Sequence, residues 1–306
     1  MIARLLVLLV LAMSGAVLAP SARAGEASQL QPGSGRFEHR SAGGTTIPVY
    51  YHIPAGASAD APILFVMHGV NRDADRYRDE WIAHAEAEGM LVFAPQFSQA
   101  DFPGSRGYNL GRIGGGGWLA ARPDSPYTIV DGLFDAVRAR TGTTRQRYFL
   151  YGHSAGAQFV HRFVYFMPEA RIEAAIAANA GWYTMPDLGQ LWPYGLDGTG
   201  MTEKGLERAL AQPLHILLGV NDRDRRDPNL RRTREAMAQG PHRFARGQTF
   251  MDAASLAAPP GGFGWRVGTV PGAAHNNAQM IPAAIAIITG KGGGTGPQQA
   301  EAGAKR

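Results

Sequence analysis

The stretch of sequence that decides the fold is Tyr148-Phe149-Leu150-Tyr151-Gly152-His153-Ser154-Ala155-Gly156. Its first four residues are apolar or aromatic, as in a buried strand, and an apolar helical segment begins at Gln158. Between the two lies a Gly-x-Ser-x-Gly turn, in which side chains at the glycine positions would collide with neighbouring elements. Such a turn forces Ser154 into a strained backbone conformation and leaves its hydroxyl exposed above a helix N-terminus, which favours negative charge. The context therefore predicts that Ser154 is a nucleophile.

Strands and helices alternate on both sides of this turn. Strands are predicted at residues 62–67, 91–95, 147–151, 172–178, 214–218 and 265–270, after a hairpin at 36–53. Helices are predicted at residues 78–89, 127–140, 158–167 and 278–288. The pattern predicts an α/β fold, with a mostly parallel central sheet and helices on both faces. The irregular segments 98–126 and 184–212 are expected to be loops that shape the site.

The two ends of the 306-residue chain are predicted to lie outside the folded domain. Residues 1–24 combine Arg4, an apolar run of about fifteen residues and small residues around Arg23, which is typical of a secretory signal peptide. The run is short for a membrane span, and an uncleaved N-terminal anchor is the alternative. Residues 290–306 are rich in Gly, Gln and Ala, which predicts a flexible tail. We therefore expect one catalytic domain at residues 25–289, periplasmic or secreted, with no stable membrane insertion after cleavage.

Composition excludes several classes of protein. The chain has no cysteine, which excludes a disulfide scaffold, a thiolate zinc site, an iron–sulfur protein and a cysteine nucleophile. Its hydrophobic fraction of 45% excludes a largely disordered protein. Without the signal segment, 28 basic residues stand against 25 acidic ones, and arginines are interleaved with aspartates, so nucleic-acid binding is not expected. No set of His, Asp and Glu has the spacing of a metal site, and residues 114–117 lack the following Lys-Ser/Thr of a phosphate-binding loop.

A serine nucleophile needs a base. His275 follows the predicted strand at 265–270 in a loop of small residues, where it can approach Ser154. The remaining histidines lie in predicted helices and strands or in an arginine-rich loop, and His153 is expected to point away from the site although it adjoins Ser154. We therefore predict that His275 is the base.

The base in turn needs an acid that orients it. Three aspartates follow the predicted strand at 214–218, and each has a turn or cap role as its simpler explanation. Asp222 stands three residues after the strand-terminal glycine and is the first choice for the acid. Asp224 is the second choice, and Asp227 lies close behind.

The negative oxygen of a tetrahedral intermediate needs two hydrogen-bond donors. One is predicted to be the backbone N–H of Ala155, the residue after the nucleophile. The other is expected from the loop after the strand at 62–67, where the N–H of Val70 is the first choice and that of Asn71 the second.

Four pieces occur in the order of the α/β-hydrolase fold: His68-Gly69, the turn at 152–156, Gly219-x-x-Asp222 and the loop at 272–275. The chain resembles this family over roughly residues 36–289, and is most similar to secreted esterases related to polyhydroxybutyrate depolymerases and feruloyl esterases. It departs from the disulfide-bearing extracellular members in having no cysteine. The resemblance implies hydrolysis of a small-molecule or polymeric carboxylic ester through an acyl-enzyme, without a metal or an organic cofactor.

Two features bear on the substrate and leave alternatives open. Aromatic residues in or beside the long loops either line an acyl pocket or pack beneath the loops: Trp118, Tyr127, Trp182, Tyr183, Trp192 and Tyr194. Residues 223–246 contain eight arginines, which indicate an anionic substrate or, as is commoner, a solvated face with local Asp–Arg pairs. A peptidase or amidase on the same fold, or a catalytically silent binding protein, is the alternative function.

Overall fold

The computed structural model describes residues 29–113 and 122–291. The predicted signal segment 1–24, the glycine run 114–117, Trp118 and nearly all of the predicted tail lie outside the described residues.

The described residues form eight strands and nine helices in an alternating order. The strands are β1 (Gly33–Arg40), β2 (Thr46–Ile53), β3 (Ile63–Met67), β4 (Leu91–Pro95), β5 (Tyr148–His153), β6 (Ile172–Ala178), β7 (Leu214–Gly219) and β8 (Arg266–Val270). The helices are α1 (Ala74–Asp79), α2 (Ile82–Glu88), α3 (Gly104–Gly107), α4 (Pro126–Thr141), α5 (Ala155–Phe166), α6 (Glu203–Leu210), α7 (Arg234–Gln239), α8 (Arg243–Ala257) and α9 (Asn277–Ile288).

All eight strands belong to one sheet, in the order β1-β2-β4-β3-β5-β6-β7-β8. The predicted hairpin β1–β2 and its contact with β4 are antiparallel. Every other neighbouring pair in this sheet is parallel. The predicted α/β fold with a mostly parallel sheet is therefore confirmed.

Helices cover both faces of the sheet, as the unbroken apolar strands predicted. Along β3, Ile63, Phe65 and Met67 point into one hydrophobic core, together with side chains of α4, α5, α6 and α8. Leu64 and Val66 point into a second core, which contains side chains of α1, α2 and α9. All five side chains are fully buried, because a strand covered on both faces exposes neither set.

The helices differ from the predicted ones in two respects. The helix expected at residues 78–89 is two helices, α1 and α2, with the fully buried Trp81 between them. Helices α3, α6, α7 and α8 occupy segments in which no helix was predicted, and α3 and α6 interrupt the segments 98–126 and 184–212 that were expected to be loops. In α8 the buried face includes Arg243 and Arg246, so the apolar periodicity that identifies a helix is interrupted there.

The parallel strands place the chemically important loops together. The carboxyl ends of β3, β5, β7 and β8 lie at one edge of the sheet, because the strands are parallel neighbours or near neighbours. Ligands of such sheets bind outside the carboxyl ends of the strands. Among the described residues, no helix combines the length and the apolar character needed to cross a membrane.

Candidate active site

Ser154 lies at the tight turn between β5 and α5, as the Gly-x-Ser-x-Gly sequence predicts. Its backbone angles, φ 58° and ψ −114°, are strained for any residue other than glycine. A Cβ atom on Gly156 would collide with the carbonyl oxygen of Met67, and one on Gly152 with that of Gly156. Both glycines are therefore required by the close approach of β5, α5 and β3.

The side chains of Ser154, His275 and Asp222 form a hydrogen-bonded chain. Asp222 Oδ2 lies 2.7 Å from His275 Nδ1, and His275 Nε2 lies 3.0 Å from Ser154 Oγ. Because a carboxylate only accepts, the proton is on Nδ1 and Nε2 accepts from the serine hydroxyl. The Asp222 side chain is 1% exposed and that of His275 is 23% exposed, so the chain of bonds runs from the interior to the surface.

The other two candidate aspartates have different partners. Asp224 is exposed and accepts from the backbone N–H of Arg226 at 2.7 Å. Asp227 Oδ2 lies 2.8 Å from Arg243 Nη1, and the same guanidinium nitrogen lies 3.5 Å from Asp222 Oδ1. The two oxygens of Asp222 thus face different groups, His275 on one side and the buried Arg243 on the other.

Hydrogen bonds connect the segment after His275 to β5 and to the C-terminal end of α1. Tyr151 donates to Asn277 Oδ1 at 2.7 Å, and Asn277 Nδ2 donates in turn to Glu80. Asn276 caps α9 by accepting from the backbone N–H of Gln279. These bonds fix the start of α9 and therefore the loop that carries the imidazole.

His153 does not point away from the site, contrary to the sequence prediction. Its ring centroid lies 4.7 Å from that of His275, and its Nδ1 lies 3.3 Å from Tyr77 Oη. Burial, and next the neighbouring His275, lower the pKa of His153 well below its ordinary value. A neutral ring therefore packs against His275, a contact that has no signature in sequence spacing.

The residues predicted to supply the oxyanion donors lie at the start of α5 and in the turn after β3. Ala155 is the first residue of α5, where a backbone N–H has no partner within the helix. Val70 and Asn71 lie in an exposed turn, which is closed by a hydrogen bond of 3.3 Å from the N–H of Arg72 to the carbonyl of Gly69.

Arg72 holds this turn against the rest of the protein. Its backbone is in the left-handed region, with φ 62°, and its buried guanidinium donates to the carbonyls of Phe97 at 2.6 Å, Phe102 at 3.1 Å and Gly104 at 2.8 Å. The three bonds attach the turn to residues 97–104, and Gln96 Nε2 adds a further attachment by donating to the carbonyl of Arg72 at 2.9 Å. Sequence analysis missed this residue.

Most of the candidate aromatic side chains pack inside the protein. Tyr127 and Tyr183 are fully buried, and Trp182 and Tyr194 are at most 8% exposed. Two guanidinium groups lie over the ring of Trp182, with Cζ of Arg162 at 4.1 Å and Cζ of Arg231 at 4.8 Å from its centroid. These four aromatic side chains therefore pack beneath the loops.

Most arginines of residues 223–246 do not form the local Asp–Arg pairs that the sequence predicts. Of the eight, only Arg243 has a carboxylate within 4 Å among the described residues. Arg246 is buried and donates to the carbonyls of Gly181, Arg231 and Gly240. Five others are exposed: Arg223, Arg225, Arg226, Arg232 and Arg234. Five exposed arginines without an ion pair in the described ranges therefore follow Asp222 in the chain, and the same segment exposes two acids, Asp224 and Glu235.

Titratable groups in the described ranges do not form a metal centre. No group of three or more His, Cys, Asp or Glu side chains in residues 29–113 and 122–291 is arranged to hold a metal ion.

The similarity of this chain to known proteins is found among solved structures. Neither the scan against protein-family models nor the search of curated proteins yields a match. The chain is similar to poly(aspartic acid) hydrolase-1 from Sphingomonas sp. KT-1, with 42% identity and a TM-score of 0.80, over 85% of this chain and 100% of that one. It is also similar to LpqC, a poly(3-hydroxybutyrate) depolymerase from Bordetella parapertussis, with 36% identity and a TM-score of 0.77, over 89% and 94% of the two chains.

More distant similarity supports the same fold. A fluorophosphonate-binding serine hydrolase of Staphylococcus aureus, FphF, has 17% identity and a TM-score of 0.55, over 85% of this chain and 98% of that one. The identities of 42% and 36% extend over most of the length of both proteins in each pair. The chain therefore belongs to the α/β-hydrolase-fold serine hydrolases, in the group that contains the poly(aspartic acid) hydrolase and the poly(3-hydroxybutyrate) depolymerase.

Proposed function

We propose that this hydrolase cleaves carboxylic esters by covalent catalysis at Ser154, with His275 as the base and Asp222 as the acid that orients it. The observation that carries the proposal is the chain of bonds from Asp222 through His275 to Ser154 Oγ, with lengths of 2.7 and 3.0 Å. The strained backbone at Ser154 adds support, because strain of this kind is retained where it positions a reacting group.

The mechanism follows from the direction of each hydrogen bond. Nε2 of His275 takes the hydroxyl proton as Ser154 Oγ attacks the ester carbonyl, and Asp222 stabilises the imidazolium that forms. The N–H groups of Ala155 and Val70 hold the developing oxyanion, and the N-terminus of α5 favours the same charge. The imidazolium then protonates the leaving alkoxide, and water cleaves the acyl-enzyme by the same steps in reverse order.

The proposed enzyme is exported to the periplasm or beyond. The composition of residues 1–24, with a basic start, an apolar run and small residues before Gly25, supports this part of the proposal. Its test is fractionation of cells that express the full chain, followed by N-terminal sequencing of the mature protein. Retention of the intact N-terminus in the cytoplasmic fraction would contradict export.

The esterase proposal is tested with Ser154→Ala. We expect hydrolysis of short p-nitrophenyl esters to fall to the level of solvent, while the circular dichroism spectrum stays unchanged. A fluorophosphonate probe should label the wild-type protein rapidly and the variant not at all, because only an activated hydroxyl reacts. Unaltered turnover by the variant contradicts the assignment of Ser154. Absence of both labelling and turnover in the wild type favours a silent binding protein.

A second candidate function is cleavage of amide or ester bonds within a polyanionic chain. It is favoured by the exposed arginines beside Asp222, which have no carboxylate partner within 4 Å in the described ranges. The 42% identical protein is a hydrolase of poly(aspartic acid), a polymer of negative charge. A cationic surface near the nucleophile raises the local concentration of such a substrate, and its effect weakens with salt.

Paired substitutions separate this candidate from a neutral-ester hydrolase. The double variant Arg225→Gln/Arg226→Gln should lower kcat/KM for poly(aspartic acid) about tenfold at low salt, because the two arginines attract the anionic polymer and speed its association. Turnover of the neutral substrate p-nitrophenyl butyrate should stay unchanged. The matched control is Arg208→Gln/Arg266→Gln, which removes two exposed arginines from other elements. Equal activity of both variants on the polymer would contradict the polyanion candidate and leave the esterase proposal in place.

A further inference from the structure

Asn179 is a buried polar residue at the carboxyl end of β6, outside the hydrogen-bonded chain of Ser154, His275 and Asp222. It is 2% exposed, and its φ of 53° lies in the left-handed region. The proposed mechanism makes no use of it. Two observations, its burial and its strained backbone, show that the surrounding structure holds it in one place.

The side chain of Asn179 bridges the two loops that carry the acid and the base. Its Oδ1 accepts from the backbone N–H of Gly219 at 2.7 Å, and its Nδ2 donates to the backbone carbonyl of Ala274 at 2.9 Å. Gly219 ends β7, and its own carbonyl accepts from the N–H of Asp222 at 3.0 Å. Ala274 immediately precedes His275 in the chain.

The backbone around Asn179 extends the bridge to the nucleophile. The carbonyl of Ala178 accepts from the N–H of Ser154 at 3.0 Å. The N–H of Asn179 donates to the carbonyl of Leu217 at 2.9 Å, which anchors the residue to β7. Two consecutive residues therefore contact all three segments on which the hydrogen-bonded chain depends.

We propose that Asn179 is a positioning residue, which sets the separation of Asp222 and His275 relative to Ser154 by bridging Gly219 and Ala274. The inference rests on the proposed function of these three residues. A misplacement of about 1 Å between reacting groups is enough to lower a rate about 10²-fold.

Asparagine is the side chain that suits this position. Its amide offers one acceptor and donors on a short stem, and asparagine tolerates positive φ better than most side chains. Aspartate would keep the acceptor for Gly219 but would turn a second acceptor toward the carbonyl of Ala274. Glycine would relieve the backbone conformation and lose both bonds. Substitution can thus separate three properties of Asn179: the acceptor for Gly219, the donor to Ala274 and the tolerance of positive φ.

The test compares Asn179→Asp, Asn179→Ala and Asn179→Gly with the wild type. For all three we expect kcat on p-nitrophenyl butyrate to fall about 10²-fold, with KM within about threefold of the wild-type value. Asn179→Gly should be more stable than Asn179→Ala and no more active, because relief of strain does not restore the bridge. If Asn179→Ala fails to fold, the glycine variant carries the comparison.

A matched control is available at Gln239, another buried amide that bridges backbone groups. It accepts from the N–H of Tyr183 at 2.9 Å and donates to the carbonyl of the same residue at 2.7 Å. Gln239→Glu should lower the melting temperature while leaving kcat within about threefold of wild type. If Asn179→Asp behaves in the same way, with kcat preserved, the residue has only a structural role and the proposal is overturned.

A second readout needs no turnover. The proton between His275 Nδ1 and Asp222 should give a downfield ¹H NMR signal in the wild type, and the signal should shift or disappear in Asn179→Asp but persist in Gln239→Glu. Persistence of the unchanged signal in all Asn179 variants overturns the proposal even if the wild type is inactive. Inactivity of the wild type with the expected NMR changes contradicts the proposed function alone.

Discussion

The strained backbone of Ser154 should make the folded protein more stable with glycine at this position than with alanine. The backbone angles of Ser154 are φ 58° and ψ −114°, a region that side chains rarely adopt. Ser154→Ala and Ser154→Gly both remove Oγ and its hydrogen bond of 3.0 Å to His275 Nε2. Their difference in unfolding free energy therefore isolates the conformation of the backbone from the loss of the hydroxyl.

The size of the difference follows from two opposing terms. Holding a side chain in an unfavourable backbone region costs about 1–3 kcal/mol, which glycine avoids. Glycine also increases the conformational entropy of the unfolded chain, which costs about 0.4–1 kcal/mol. The balance predicts that Ser154→Gly is more stable than Ser154→Ala by about 1 kcal/mol, which is about 2 °C in melting temperature for a domain of this size.

The assay is urea denaturation of both variants, followed by circular dichroism, with calorimetry as a second measurement. Both variants are inactive under the proposed mechanism, so activity does not enter the comparison. A glycine variant that is equal to or less stable than the alanine variant would refute the argument that the turn stores strain at Ser154. It would indicate instead that the surroundings accommodate a Cβ atom at no cost.

Three further predictions follow from the buried cations and histidines. Arg72→Lys should lower kcat by about 10²-fold with little change in KM, and steady-state kinetics would detect it. The reason is that the three bonds of Arg72 leave from two separate guanidinium nitrogens in fixed directions, whereas the donors of lysine share one nitrogen on a flexible stem. Arg243→Met should cost about 3 kcal/mol in urea unfolding, because it leaves the buried Asp222 carboxylate and the partly buried Asp227 without the cation that both face. Burial lowers the pKa of His215 from 6.5 to about 4, so the stability it contributes is present above pH 6.5 and lost as the pH falls toward 4. His215→Gln should therefore flatten the fall in unfolding free energy between pH 7 and pH 5.

The sequence was sufficient for the features that depend on local patterns. The turn at 152–156 requires small residues because β3, β5 and α5 approach closely, and that requirement is visible in the glycines themselves. The parallel sheet could be predicted because each central strand is covered on both faces and therefore reads as an unbroken apolar run. Asp222 and His275 follow β7 and β8, which are parallel neighbours in the sheet. Their proximity to each other could therefore be predicted from the order of strands and loops in the sequence.

Other parts of the site were not predictable because they depend on contacts between distant segments. Asn179 was not singled out, since nothing in its neighbourhood distinguishes a bridging amide from an ordinary residue at the end of a strand. The predicted direction of His153 was wrong: it ends β5 on the face shared by Phe149 and Tyr151. The partner that it meets there, His275, comes from a loop that is distant in sequence. Arg243 was counted within a charged segment, although it is buried beside Asp222. In each case the decisive fact is the identity of the partner, which spacing does not encode.

The absence of cysteine and the abundance of arginine have a common structural explanation. A chain without disulfides must fix its long loops by other means, and here buried guanidinium groups connect segments that are far apart in sequence. Arg72 joins the turn at 69–72 to three carbonyls at residues 97–104, and Arg246 joins carbonyls at 181, 231 and 240. A guanidinium donates in several fixed directions at once, whereas an ammonium is a compact charge on a flexible stem. The 30 basic residues of this chain include only three lysines, so the preference for arginine accords with a scaffold in which cations satisfy buried carbonyls.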